Sequence, residues 1–503
     1  MATTNKHRKD EKDINNEKDK NDEKDKNNET DVKDKKVEKS IKSENGLFIF
    51  RRDLRIVDNK GLIEASSKCS KLYTIFIFTP EQVSGSNKFK SDNAVQFMIE
   101  SLKNLASSIS KKGGQLYTFY GKNDTIIKHL ISSLNIDTIC FNMDYSPYAI
   151  KRDESIIKMA EKMDLQVIKG QDYYLLEPGS VLNGSKKMYQ KFTPFYNSAH
   201  TKHVDVPNNK QITNFAKTTK HLENTLSLDS ALHRFTTVNP DISMNGGRDD
   251  AIVALKQALK TQSHYSKTHN ELSKETTRLS AAIKFGCLSI REVYKAFRNN
   301  TDLIRQLWWR DFYANVLYAY PHVLGHAMKP NYNKVQWHHN ANWFKAWTKG
   351  MTGYPIVDAG MRQLNATGYM HNRARLITAS FLVKTLLISW EYGEQYFAQM
   401  LTDYDPASNN GNWQWIAGSG ADSQPYFRIF SPKEQNKNFD PDCTYIKTWI
   451  PELQNVEPKD IINWDTEHVN YTSKTAGGKY PGPICDFAKQ KELALKMYGA
   501  VFK

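Results

Sequence analysis

Four clusters in the C-terminal half of this 503-residue chain hold side chains suited to work at a phosphate or a flat ring. In the first, Thr276-Thr277-Arg278-Leu279-Ser280 opens a helical pattern. Hydroxyls at a helix start cap free N–H groups, and the terminus itself attracts phosphate. With Arg278 the segment offers a seat for a pyrophosphate, although a plain capped helix is the simpler reading of it alone. In the second, Gln306, Trp309, Arg310 and Tyr313 share one broad helical face. An amide, a ring and a guanidinium there suit a flipped base and its phosphate. Buried aromatic packing is the competing reading, and Gln306 and Arg310 sit badly in it.

In the third cluster Asn372, Arg375 and Leu376 share a face while Arg373 points elsewhere. Arg375 lies at the start of a largely apolar run and needs a carboxylate; Asp403 and Asp405 are the two candidates. The fourth runs from Asn409 to Trp415. Trp413 and Trp415 stand two residues apart, so on a helix one points inward and the other is free to stack. Gly353-Tyr354-Pro355 and Pro425-Tyr426-Phe427-Arg428 add further aromatic and charged loops. Metal-protease, Walker, serine-hydrolase and zinc-deaminase signatures are missing, and no acid–base or nucleophile pair stands out. Chemistry of this kind is carried by a cofactor.

The elements that position these clusters follow from hydrophobic periodicity. Apolar runs at Leu47–Phe50, Leu72–Phe78, Gln115–Tyr120, Thr138–Phe141 and Gln166–Ile168 read as buried strands. Amphipathic stretches such as Ala94–Ile109 and Ile126–Leu134 separate them, which is the pattern of an α/β, doubly wound parallel sheet. No G-x-G-x-x-G follows the first strand; Arg51-Arg52-Asp53-Leu54-Arg55 stands there instead. Residues 45–172 form this α/β domain and 173–245 an irregular connector. Residues 246–503 form an all-α domain, with helices expected at Asp249–Leu259, Ser280–Phe285, Ile290–Phe297, Asp302–Tyr320, Met361–Tyr369, Arg373–Trp390 and Gly393–Leu401, and long loops near 321–336 and 402–445.

Residues 1–44 are nearly all Lys, Asp, Glu and Asn and read as a disordered charged tail. Its charges almost cancel, so most of the net charge of +15 belongs to the remainder, which suits a polyanionic partner such as DNA. Five scattered cysteines without a C-x-x-C pair fit a reducing compartment. The richest apolar run, Leu376–Trp390, is interrupted by Lys384 and is too short to span a membrane. The expectation is a soluble intracellular monomer, nuclear or cytoplasmic.

Six ordered motifs carry a resemblance to the photolyase/cryptochrome family from about Gly46 to Tyr498. They are Phe50–Arg55, Thr276–Ser280, Trp309–Phe312, Thr352–Pro355, His371–Arg373 and Asn409–Trp415. The resemblance implies a light-dependent lyase with an antenna-binding α/β domain and a helical domain around FAD. It assigns Tyr265, Thr276, Thr277, Arg278, Leu279, Ser280 and Arg310 to the FAD chain and phosphates. It sets Arg375 and Asp403 as an ion pair against the flavin ring, with Asn372 and Asp405 nearby, and Asn409 facing the ring nitrogen that gains a proton. Trp413, Trp390 and Trp337 match an electron-transfer chain from flavin to solvent. Trp309 and Trp415 match the pair that brackets a flipped pyrimidine dimer, and Arg373 and Arg428 match phosphate contacts of ultraviolet-damaged DNA.

Within the family, Asn409 favours repair over light sensing, and Asn372 is the residue of cyclobutane-dimer enzymes. Leu376 lacks the histidine that six-four repair needs. Gln306 replaces a common glutamate and is the one six-four feature. A cryptochrome-type receptor is the alternative reading. Asn142, Asp144 and Tyr145 lie where relatives hold an antenna, which methenyltetrahydrofolate, a deazaflavin or FMN would supply.

Overall fold

Five strands, β1 (Ser43–Phe50), β2 (Cys69–Phe78), β3 (Leu116–Tyr120), β4 (Thr138–Asn142) and β5 (Gln166–Gly170), form one all-parallel sheet in the order β3-β2-β1-β4-β5. The computed structural model describes residues 43–471 and 480–502. The charged tail therefore lies outside the described residues, except that Ser43 and Glu44 begin β1, four residues before the expected start. Pairing with Cys69 across the ladder extends the strand past its apolar core.

Aromatic and β-branched side chains fill both faces of the central strands, so Phe48, Phe50, Ile75, Phe78 and Phe141 are all buried. The crossover helices are Lys60–Lys68, Asp92–Ser110, Asn123–Leu134 and Pro147–Lys162. Asn59, Ser91 and Ser146 cap three of them by accepting backbone N–H groups. Strand order reverses between β1 and β4, which opens a crevice beyond their carboxyl ends. Arg51–Asp53 and Asn142–Asp144 stand at that crevice. Asn142 is fully engaged there, donating to Asp53 and Asn59 and accepting from the Gly61 N–H.

The connector is more ordered than its composition suggests. It carries helices Phe192–Ala199 and Leu228–Phe235 and bridges back to the sheet through Leu72–Phe215 and Phe119–Thr225. Its scattered Phe192, Phe195, Ile212 and Phe215 are buried, and that apolar surface overrides the Pro/Asn/Ser bias.

The C-terminal part is helical, and three expectations need correction. The run Arg373–Trp390 is two helices, Asn372–Lys384 and Trp390–Met400, separated where Leu387 adopts φ +58° and Ser389 caps the second. The stretch 402–445 is not a long loop, for it holds helices Pro406–Ala417 and Pro432–Phe439. Asp405-Pro406 and Ser431-Pro432 are cap-plus-proline starts that outweigh the Asn/Gly content. Pro355 likewise starts its helix six residues before Met361. At the junction with the sheet, Arg291 donates to Asp58 at 3.0 Å and to Asp172 at 2.7 Å, while Arg55 reaches Asp172 at 2.6 Å. All four side chains are buried, so this paired charge cluster pins the two parts together.

Candidate functional site

Arg375 resolves its choice of partner on Asp403, with Nη2–Oδ2 at 2.9 Å and Nη1–Oδ1 at 3.3 Å. The two-point geometry and a Ser280 hydrogen bond hold the Asp403 carboxyl below its ordinary range against the opposing effect of burial. Asp405 has a different task. It caps the Pro406–Ala417 helix through the Ser408 N–H and pairs with Arg52 from the turn after β1 at 2.8 Å.

The Thr276–Ser280 segment reaches the same place by another route. The expected hydroxyl cap is absent: Leu279 occupies the cap position of the short Ser280–Lys284 helix without a side-chain bond. Thr276 bonds instead to the Tyr369 hydroxyl at 2.7 Å, and Arg278 takes φ +50° and donates to Ser243 at 3.0 Å. Tyr369 lies beneath the guanidinium carbons of both Arg278 (5.4 Å) and Arg375 (5.9 Å). It also perturbs Tyr265, whose hydroxyl is pushed up to about 12, chiefly by burial. Tyr369 thus joins the first and third clusters, a role that its isolated place after a helix gave no reason to assign.

Arg278 Nε, His371 Nε2 and Thr402 Oγ1 are buried without a partner among the described residues. His371 Nδ1 accepts the Arg373 N–H as the helix cap, so its proton sits on the orphaned Nε2. Burial and the surrounding Arg373 and Arg375 push His371 down to about 4, so it stays neutral. Orphaned donors beside two arginines need an acceptor-rich anion. FAD, with its pyrophosphate and ring carbonyls, fits this set of residues.

Trp309, Gln306 and Arg310 share the Thr301–Ala319 helix. One face of Trp309 is taken by Phe192 of the connector, at 3.7 Å between centroids and 6° between planes; Tyr313 (5.6 Å) and Phe312 (5.7 Å) also pack against the indole, which stays half-exposed. Sequence gave no signal for Phe192. Gln306 is exposed, whereas Arg310 is held by the Tyr173 carbonyl at 2.7 Å and lies over Tyr174. Asn372 is exposed at its helix start, and Leu376 is half-buried. Arg373 is pinned by Asn270 at 2.7 Å and covers Phe439. Trp415 is half-exposed, and Arg428 is exposed on the loop 418–431. Gly353 and Tyr354 belong instead to a buried turn in which Asp358 accepts from Thr352 and Gly353.

Trp413 is buried two residues from Trp415, against Phe397 (4.9 Å) and Trp347 (6.2 Å). Trp390 is buried in the same core, and Trp337 is half-exposed at its edge against Tyr498. Asn409 donates to the Glu394 carbonyl at 3.0 Å, and Glu394 itself, pushed up to about 7 by burial, accepts from Asn410.

A cavity of about 450 Å³ opens at the strand-order reversal, lined by Arg52, Asp144, Tyr145, Met98, Lys284, Phe285 and Asp405 among others. Burial pushes Lys284 down to about 8. No group of metal-ligand type occurs among the described residues, and no described helix is long and apolar enough to cross a membrane.

Comparison with known proteins gives the following similarities. Residues 47–212 match the DNA photolyase family, and residues 303–500 match the family described as the FAD binding domain of DNA photolyase. The deoxyribodipyrimidine photo-lyase of Buchnera aphidicola is 35% identical over 476 residues, covering 90% of this chain and 97% of that protein. An archaeal photolyase from Sulfolobus tokodaii, solved with two FAD molecules, is 37% identical with TM-score 0.81, covering 91% of this chain and all of the other. A cryptochrome from Synechocystis is 26% identical with TM-score 0.82, covering 91% and 99%.

Proposed function

The chain belongs to the DNA photolyase family, and we propose that it repairs cyclobutane pyrimidine dimers in DNA under blue light, with FAD in the helical domain. The observation that carries this reading is the convergence of Arg278, Tyr369, His371, Arg375–Asp403 and Ser280 on one site. Residues 45–172 serve as the antenna domain and 246–503 as the catalytic domain, joined by 173–245.

Reduced FAD, when bound and excited by light, supplies the electron that opens the cyclobutane ring and takes it back. The protein's own residues make that transfer selective. Arg278, His371 and Arg375 hold the cofactor, and Asp403 fixes the Arg375 guanidinium. The Asn409 amide, held by its bond to the Glu394 carbonyl, would face the ring. A dimer is extruded more cheaply than an intact pair of bases. Its rings then meet the half-exposed Trp309 and Trp415, and the Gln306 amide can both donate to and accept from a pyrimidine edge. Arg373 and Arg428 take backbone phosphates. Trp413, Trp390 and Trp337 resupply electrons from the surface.

The cavity at the strand reversal is the seat of a second, light-harvesting chromophore. Apolar walls from Met98 and Phe285, with Arg52, Asp144 and Lys284 as polar contacts, suit a flat polar ring system of the flavin or deazaflavin type. The second FAD of the Sulfolobus relative supports that class over a folate.

The decisive experiment incubates chemically reduced protein with a thymine-dimer oligonucleotide in light and in darkness. Light-dependent recovery of intact thymines is expected. A flavin-loaded protein that repairs neither this substrate nor a six-four substrate would refute the reading and leave the cryptochrome alternative.

A further inference from the structure

Lys384 ends the Asn372–Lys384 helix and is only 1% exposed. A buried ammonium is costly unless a carboxylate accompanies it. None stands within ion-pair distance among the described residues, and the charged group that faces Lys384 is another cation, Arg428. Its Nζ donates to the Arg428 carbonyl at 2.8 Å. Arg428 and its neighbour Phe427, which is 62% exposed, sit on the tip of the loop 418–431, where the Arg428 N–H closes a turn onto the Pro425 carbonyl. The opposite end of the same helix carries Asn372, Arg373 and Arg375. Nine to twelve residues at 1.5 Å each place that cluster about 14–18 Å away along the axis.

An unpaired cation behind an exposed arginine is an arrangement that gains from an anion in front of it. Bound phosphate would supply the negative field that the protein itself leaves out. We propose that Lys384 is a positioning residue for DNA: it fixes the Arg428 loop through its carbonyl, and its buried charge strengthens the attraction of that loop for a backbone phosphate. The inference rests on the reading of Arg428 as a phosphate contact. It adds a residue that touches neither lesion nor cofactor, and it makes the loop responsive to pH. Burial, helped by Arg428, pushes Lys384 down to about 8. Phosphate favours the charged form, so DNA binding takes up a proton in mildly alkaline solution, and affinity falls as the pH rises through 8.

The test measures affinity of the FAD-loaded protein for a dimer-containing duplex from pH 7 to 9 at fixed salt, with flavin content and melting temperature as controls. Lys384→Met is expected to bind about tenfold more weakly at pH 7 and to lose part of the alkaline decline. Lys384→Arg keeps its charge throughout, and is expected to retain affinity at pH 7 and to hold it at pH 9. Lys284 also titrates near pH 8, but both variants leave it intact, so the difference between variants and parent isolates Lys384. Parental affinity and parental pH profile in Lys384→Met would overturn the inference. Should that variant fail to fold, an unchanged alkaline decline in Lys384→Arg would overturn it equally. Arg428→Ala separates the two readings. Normal binding by Arg428→Ala overturns the phosphate contact beneath the inference, whereas weakened binding there with normal binding by Lys384→Met overturns the inference alone.

Discussion

Replacing Phe192 by Leu should weaken recognition of a dimer without touching it. Phe192 is 1% exposed and lies flat on Trp309, at 3.7 Å and 6°, while Arg305 caps the Phe192 ring at 5.0 Å. Leu keeps most of the apolar volume and removes the flat backing, so Trp309 gains freedom to tilt away from the plane a base must meet. Aromatic pairs contribute about 0.5–1.5 kcal/mol beyond their buried area. If Trp309 pays that amount in reordering when it stacks on the lesion, affinity for dimer DNA falls roughly 2- to 12-fold. The assay compares dissociation constants for dimer-containing and undamaged duplexes at one salt concentration, because phosphate contacts dominate both. Undamaged duplex should bind Phe192→Leu as it binds the parent, and flavin content should not change. An equal loss on both duplexes, or no loss on either, would refute the view that Phe192 acts through Trp309.

Three further outcomes follow from the site. Burial lowers His371 to about 4, so its contribution to stability is complete above its unfolded value near 6.5 and is lost as pH falls through 4. That contribution is about 3 kcal/mol at most, and His371→Asn, which retains a capping acceptor, should shrink the fall in urea stability between pH 7 and 4.5; an unchanged fall would assign the acid sensitivity to other groups. Trp390→Phe should slow light-driven reduction of bound flavin while sparing repair by chemically reduced protein, and loss of repair under those conditions would remove Trp390 from the electron chain. Trp415→Ala should lose about 1–3 kcal/mol of dimer-DNA affinity with FAD retained, and parental affinity would deny its stacking role.

The sheet and the ion pair were legible because local chemistry decides them. Phe48, Ile75 and Phe141 have no other way to bury both faces, and Arg375 beside an apolar helix demanded a carboxylate, found at Asp403. What escaped depended on contacts between distant segments. Phe192 sits in a stretch whose Pro, Asn and Ser content reads as irregular, and its purpose appears only when the connector folds back onto Trp309. Tyr369 follows a helix that ends in Gly368 with φ +67°, a position that gives no sign of two guanidinium partners. Proline starts were missed for a different reason. Asp405-Pro406 and Ser431-Pro432 were outweighed by Asn- and Gly-rich surroundings, although an N-cap followed by proline is the stronger local signal.

Arg52 shows why this chain has a guanidinium in the turn after β1 where dinucleotide-binding sheets keep glycines. Its Nη2 meets Asp144 at 2.9 Å and the Tyr174 hydroxyl at 2.8 Å, while its Nη1 meets Asp405 at 2.8 Å. Arg52, Asp144 and Asp405 all line the cavity at the strand reversal, and Asp405 also starts the helix that carries Asn409 and Trp413. One planar fork therefore ties Asp144, after β4, to the start of the Pro406–Ala417 helix, and a lysine, with a single nitrogen, could not hold both carboxylates in fixed directions. Both carboxylate partners are largely shielded from water, and separating either would leave a buried charge unpaired. The neighbouring Arg55–Asp172–Arg291–Asp58 cluster is buried across the same junction, so a second set of paired charges resists its rearrangement.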